Sequence, residues 1–126
     1  MKKKVFVSGG GGFIGSHLVE KLVTKGYKVK TIVPYNIDNS WGWIDSLPKN
    51  IKKSVEVISG DICDQNLILR ETKRINIFFH LAALISIPFS YKSPQSYVNT
   101  NILGTLNLLE AAKNNNTELF VQTSTS

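Results

Sequence analysis

The residues best placed to do chemistry in this sequence are glycines. Gly9, Gly10, Gly11, Gly12 and Gly15 stand in the run Val5-Phe6-Val7-Ser8-Gly9-Gly10-Gly11-Gly12-Phe13-Ile14-Gly15. Two spacings overlap there, Gly10-x-Gly12-x-x-Gly15 and Gly9-x-x-Gly12-x-x-Gly15. Glycine permits positive φ in a tight turn and lets the backbone approach a ligand closely. A helix that starts at such a turn offers free N–H groups and the positive end of its dipole to an anion. That combination holds the pyrophosphate of a dinucleotide. Either spacing alone is a weak signal, and the bland alternative is a glycine-rich turn with no ligand. The context decides: a strand must precede the turn and a helix must follow it.

Both are present. Lys4 to Val7 is short, β-branched and stops at glycine, as a buried parallel strand does. In Phe13 to Lys25, Ile14, Leu18 and Leu22 recur every fourth residue, and Val19 and Val23 widen the apolar stripe. Gly26 is placed to cap the helix. Val29 to Val33 is a second strand, which completes a βαβ unit of about 30 residues. Pro34 to Asn50 is a long connection carrying Trp41-Gly42-Trp43, and connections beyond about 12 residues usually have a functional reason. Val55 to Ser59 is a third strand. Asp64 caps a helix predicted to run to about Arg74. Ile77 to Leu81 is a fourth strand, and residues 82–93 read as loop. Ser93-Pro94 starts a long helix to about Lys113, with Leu103, Leu106, Leu109 and Ala112 on its apolar face. Glu118 to Thr123 is the fifth strand. This alternation predicts an α/β fold, a Rossmann-like doubly wound parallel sheet of five strands in the order 3-2-1-4-5. Its last strand would be an open edge, so the sheet is expected to be incomplete there.

Composition narrows the classes. The chain has 126 residues, 42% hydrophobic and 19% charged, which is ordinary for one globular domain. The net charge of +6 is scattered along the sequence, as a solvated surface or a mild field favouring an anionic ligand would be. Without a basic-aromatic motif, nucleic acid is not the expected partner. One cysteine, Cys63, allows no intrachain disulfide, and with His17 and His80 it cannot build a zinc cluster of the usual spacing. No metal is expected. The apolar run Val5–Val7 is too short for a signal-peptide core, and Ile77 to Phe89 is too interrupted for a membrane span. A cytoplasmic protein without membrane association is the expectation.

Val7-Ser8-Gly9-Gly10-Gly11-Gly12-Phe13-Ile14-Gly15 resembles the fingerprint of the extended short-chain dehydrogenase/reductase family. Gly60-Asp61-Ile62, His80-Leu81-Ala82-Ala83 and Thr100-Asn101-x-x-Gly104-Thr105 match in order, and Thr123-Ser124-Thr125-Ser126 resembles the start of that family's catalytic strand end. Asn39-Ser40-Trp41-Gly42-Trp43 resembles the nucleotide-sugar 4,6-dehydratases of legionaminic acid biosynthesis, which act on nucleotide-activated N-acetylglucosamine. The resemblance spans essentially the whole chain.

The resemblance implies a role for each matching residue. Gly9, Gly12, Phe13, Ile14 and Gly15 would hold the pyrophosphate. Asp61 would accept from the adenine amino group, with Ile62 beside the ring. Leu81, Ala82 and Ala83 would line the cofactor at the fourth strand end, and Thr100 would touch it. Asn101 would tie strand ends together. Thr125 would be the catalytic hydroxyl on the sugar 4-hydroxyl, with Ser126 beside it. His80 and His17 read as satisfied core histidines without catalytic work. Trp41 and Trp43 would either close over the cofactor or anchor their loop to the core.

The family's Tyr-x-x-x-Lys is absent: Tyr27, Tyr35, Tyr91 and Tyr97 each lack the lysine. General acid–base help is worth about 10²–10⁴ in rate, so the 126 residues alone are expected to be inactive. They read as the N-terminal portion of an NAD(P)-binding Rossmann domain, residues 1–126, with the substrate domain outside them. The parent would be a homodimeric 4,6-dehydratase taking a nucleotide-activated sugar. The alternatives are a 4-epimerase or reductase of the same family, or a truncated non-catalytic dinucleotide-binding remnant. The cofactor is expected to be NAD, with NADP open. Val33-Pro34-Tyr35-Asn36 carries neither the acidic residue nor the arginine that usually decides, and Asp38 comes a few residues late.

Overall fold

The computed structural model describes residues 2–125. It contains five parallel strands, β1 (Lys4–Ser8), β2 (Lys28–Val33), β3 (Val55–Ser59), β4 (Ile77–His80) and β5 (Leu119–Gln122), in the order β3-β2-β1-β4-β5. This is the predicted doubly wound sheet. The register pairs Val5 with both Val29 and Ile77, and Ser8 with both Ile32 and His80, so β1 is central and its C-terminal end meets those of β2 and β4.

Alternation along the strands builds two cores. Val5, Val7, Val29 and Ile77 face one way and pack with Val19 and Leu22 of α1 (Phe13–Thr24). Phe6, Ile32 and Phe78 face the other way and pack with Ile68 of α3 (Gln65–Glu71) and with Leu108, Ala111 and Ala112 of α6 (Gly104–Asn114). Gly26 closes α1 as predicted, because its N–H donates to Val23 O at 3.0 Å and that of Tyr27 to Leu22 O at 3.1 Å. Asp64 caps α3 through an N–H bond from Leu67 at 3.0 Å, but the helix stops at Glu71, short of Arg74.

Four expectations change. The connection after β2 is not irregular throughout: Gly42–Ser46 forms a 3₁₀ turn and Lys49–Lys52 the short helix α2. The stretch expected to be loop, 82–93, contains α4 (Ile87–Lys92), capped by Ser86 with Pro88 in its first turn. The long helix is α5 (Pro94–Val98), a π turn over Asn99–Leu103, and then α6. The Ser93 hydroxyl bonds Ser96 Oγ at 2.6 Å and caps no backbone N–H. Finally, Leu103, Leu106 and Leu109 are 44–50% exposed, and the buried face of α6 is Gly104, Leu108, Ala111 and Ala112. Among the described residues no helix is long and apolar enough to cross a membrane.

Candidate functional site

The glycine turn joins β1 to α1 by close backbone contacts. Gly9 has φ +79°, and a Cβ on it would lie 2.8 Å from Ala82 N and 3.0 Å from the Leu81 carbonyl carbon. A Cβ on Gly15 would collide with Gly9 O and lie 2.9 Å from Gly10 Cα. Gly12 is different. It is the N-cap residue of α1 with φ −77° and ψ 170°, which any residue adopts. Its Cβ would meet only Gly9 O, at 3.3 Å. No side chain caps α1, and its first turn holds no acidic residue. Helix geometry leaves the N–H groups of Phe13, Ile14 and Gly15 without helical partners, so this end is electropositive and available to an anion.

A groove of about 920 Å³ opens beside the turn, at the C-terminal ends of β1, β2, β3 and β4. The structure brings Gly9, Gly12, Asp61, Ile62, Leu81, Ala82, Ala83 and Thr100 together on its wall. Asp61 Oδ1 accepts the Cys63 N–H at 2.8 Å, so the residue also makes a turn. Ile62 is only 5% exposed, and its side chain packs where a Cβ on Gly104 would lie; it is as much core as groove. Thr100 reaches the groove from the π turn. Burial raises the Cys63 thiol pKa, with Asp61 adding to the effect, and its Sγ bonds Asn99 O at 3.1 Å.

Four of the predicted residues are not on that wall. The side chains of Phe13 and Ile14 are 53% and 74% exposed and turn away from the core, and Gly15 packs on Gly9; of these three, only the backbone amides face the task assigned to them. Phe13 instead stacks on His17, with ring centroids 4.6 Å apart, and meets Trp43 at 5.4 Å. His17 is therefore exposed, not a core residue as expected. Thr125 lies beyond β5, exposed, and is not on the groove wall. Ser126 lies outside the described residues.

His80 is buried at 4% exposure, and a chain of hydrogen bonds sets its tautomer. Ser8 Oγ accepts the N–H groups of Leu81 (3.0 Å) and Ala82 (3.1 Å). Its own proton then goes to His80 Nδ1, 2.6 Å away. His80 Nε2–H donates to Thr105 Oγ1 at 2.7 Å, whose proton goes to Asn101 O at 2.8 Å. Asn101 in turn clasps Leu84, accepting its N–H at 2.9 Å and donating to its carbonyl at 2.9 Å. The network holds the Leu81–Leu84 backbone in the shape that packs on Gly9. Burial pushes the His80 pKa below its ordinary value, so the imidazole stays neutral and structural.

The groove also has a wall of which the sequence points to Trp41 and Asp38 but not to Tyr35, Asn36 or Ser40. Tyr35, Asn36, Asp38, Ser40 and Trp41 line it from the connection after β2. The length of that connection and its Trp-Gly-Trp were the only other signals. Asp38, late in sequence, is brought to the groove by the fold.

A parallel doubly wound sheet with a glycine-turn groove at the strand ends defines the Rossmann-like class. The GDP-mannose 4,6 dehydratase family model matches residues 6–126, and the chain belongs to that family. It is 36% identical over 126 residues to a dTDP-D-glucose 4,6-dehydratase of Dictyostelium discoideum, covering 98% of this chain and 29% of the relative. The structure of UDP-N-acetylglucosamine 4-epimerase from Methanobrevibacter ruminantium M1, in complex with UDP-N-acetylmuramic acid, superposes with TM-score 0.82 at 37% identity, over 100% of this chain and 39% of that one. The Thermus thermophilus UDP-glucose 4-epimerase complex with NAD gives 0.76 at 32% identity, over 93% and 36%. The chain spans about a third of the length of the curated relatives it matches.

Proposed function

We propose that this chain is the NAD-holding portion of a nucleotide-sugar 4,6-dehydratase. The observation that carries the reading is the uncapped start of α1 beside Gly12, open to a groove of about 920 Å³. The residues present fit a dinucleotide, because Gly9 and Gly15 exclude a Cβ while Gly12 leaves room for a ligand. The amides of Phe13, Ile14 and Gly15 receive the pyrophosphate, each hydrogen bond to such a charged group being worth about 1.5–3 kcal/mol. Asp61 accepts from the adenine amino group through the carboxylate oxygen that Cys63 leaves free. Leu81, Ala82 and Ala83 keep the passage narrow and apolar, and Thr100 donates to the cofactor. Thr125 donates its hydroxyl to the sugar 4-hydroxyl. The chemistry a nicotinamide dinucleotide supplies in such an enzyme is reversible hydride acceptance, used at C4 and then at C6 on either side of water loss.

The partner in this reading is a nucleotide-activated sugar, and the parent enzyme is a cytoplasmic homodimer. The exposed Leu103, Leu106 and Leu109 of the long helix supply an apolar face for pairing. A 4-epimerase is the second reading, with the 37% identity to the UDP-N-acetylglucosamine 4-epimerase in its support. Calorimetric titration of the chain with NAD and NADP tests the cofactor assignment: one NAD should bind, and NADP more weakly. Failure of both to bind refutes it, and tighter NADP binding reverses the cofactor. Turnover of a nucleotide-activated N-acetylglucosamine by these residues alone would contradict the assignment as a holding portion without its acid–base pair.

A further inference from the structure

We infer that residues 36–46 form a preorganised strap whose work is to position the glycine turn, with Gly42 and Trp43 as its positioning residues. This inference rests on the dinucleotide reading above. The strap is built from side-chain-to-backbone bonds. Asn36 clamps Ser40 twice, accepting its N–H at 2.9 Å and donating to its carbonyl at 2.7 Å. Asp45 Oδ2 accepts the Trp41 N–H at 2.9 Å and the Ser40 hydroxyl at 3.2 Å, while Ser40 Oγ accepts the Gly42 N–H at 3.1 Å. Lys52 joins the far side, 3.2 Å from Asp45 Oδ1 and 5.3 Å over the Trp41 ring. Ile44, fully buried, anchors the strap in the protein.

The strap meets the glycine turn at one peptide unit. Trp43 N–H donates to Gly11 O at 2.9 Å, and on the other side of the same peptide Gly12 N–H donates to Gly9 O at 3.1 Å. The plane entering α1 is thus fixed at both ends. The fit leaves no slack. Gly42 sits at φ +63°, and a Cβ on it would collide with Gly11 O; a Cβ on Gly11 would lie 3.1 Å from Trp41 O. The orientation of the amides that receive the anion therefore depends on a segment about 30 residues further along the chain.

The test uses Gly42→Ala, which forces the strap off Gly11, and Asp45→Ala, which loosens it without a clash. Hydrogen exchange on the ligand-free chain should show a protected Trp43 amide whose exchange accelerates in both variants. Affinity for NAD and for ADP should fall by one shared factor, about three- to tenfold, as loss of a net hydrogen bond implies. Asp45→Asn, which keeps an acceptor for Trp41 N–H, should recover most of the affinity. Where Gly42→Ala does not fold, Asp45→Ala decides. Rapid exchange of the Trp43 amide in the parent chain overturns the inference, as does unchanged affinity in a variant whose strap has loosened. The exchange measurement needs no ligand, so failure of the parent to bind NAD would sink the dinucleotide reading separately.

Discussion

Replacing Gly12 and Gly15 separately should split ligand binding from folding. At Gly12 the backbone is in an ordinary extended conformation, φ −77° and ψ 170°, and an added methyl meets one atom, Gly9 O, at 3.3 Å. Alanine is a poorer N-cap than glycine, so Gly12→Ala should cost about 0.5–1 kcal/mol of stability. At roughly 3–5 °C per kcal/mol for a chain of this length, the melting temperature falls by only a few degrees. The same methyl stands on the groove wall where the pyrophosphate must reach the first turn of α1. Holding the anion off those amides forfeits at least one charge-assisted bond, about 1.5–3 kcal/mol, and so about 10- to 150-fold in Kd.

Gly15→Ala reverses the balance. Its methyl would collide with Gly9 O and lie 2.8 Å from Gly9 C, with backbone that cannot swing aside. Relief requires α1 to move from β1, at about 1–3 kcal/mol, and melting should drop by roughly 3–15 °C. Circular dichroism melts and NAD titration calorimetry read both quantities. A Gly12→Ala protein that binds NAD like the parent would refute the placement of the pyrophosphate at this helix end. A Gly15→Ala protein as stable as the parent would refute the packing argument.

Two further outcomes follow from the site. His80 is held neutral by burial, so the unfolded chain takes up a proton at higher pH than the folded one. Stability should be level above about pH 6.5 and fall as pH drops below it; melts between pH 8 and 5 check this, and a His80→Asn protein retaining the full slope would contradict it. Asp38 is the carboxylate the fold brings to the groove from beyond the end of β2. Asp38→Ala should narrow the preference for NAD over NADP by up to about fivefold, the upper range for an exposed charge pair, and paired titrations in which the ratio stays fixed would remove Asp38 from that role.

The sheet was legible because its signals are local and redundant. Each buried parallel strand is a short β-branched or aromatic run ending at a turn, and the glycine turn marks which strand is central. Most groove residues were legible for a related reason: Gly9, Asp61, Leu81 and Ala82 follow strand ends, and parallel order brings strand ends together. The wall from Tyr35 to Trp41 was legible only at Asp38 and Trp41, because Asn36 and Asp45 shape it by bonding backbone a few residues away, a device without periodicity. Helix α4 did leave a trace. Ser86 caps it with Pro88 in the first turn, a serine–proline pattern like that of Ser93-Pro94, where the serine makes no cap bond, but Pro88 inside an apolar run reads more readily as a breaker.

The long helix shows where periodicity misleads even when the helix itself is correctly placed. Large leucines at 103, 106 and 109 make the more apolar stripe, yet the core takes Gly104, Leu108, Ala111 and Ala112. The cause is distance. Where a Cβ on Gly104 would stand, Ile62 already packs, and the same face meets Phe6, Phe78 and Ile68 in one core. Gly104, Ala111 and Ala112 let the helix come close enough for Leu108 to pack in that core, and close packing gains dispersion contacts. That approach in turn places the π turn, with Thr100, at the groove and lets Asn101 reach the Leu84 backbone. The small face of α6 is thus part of how the site is built, and the leucines are free because the site required the other face.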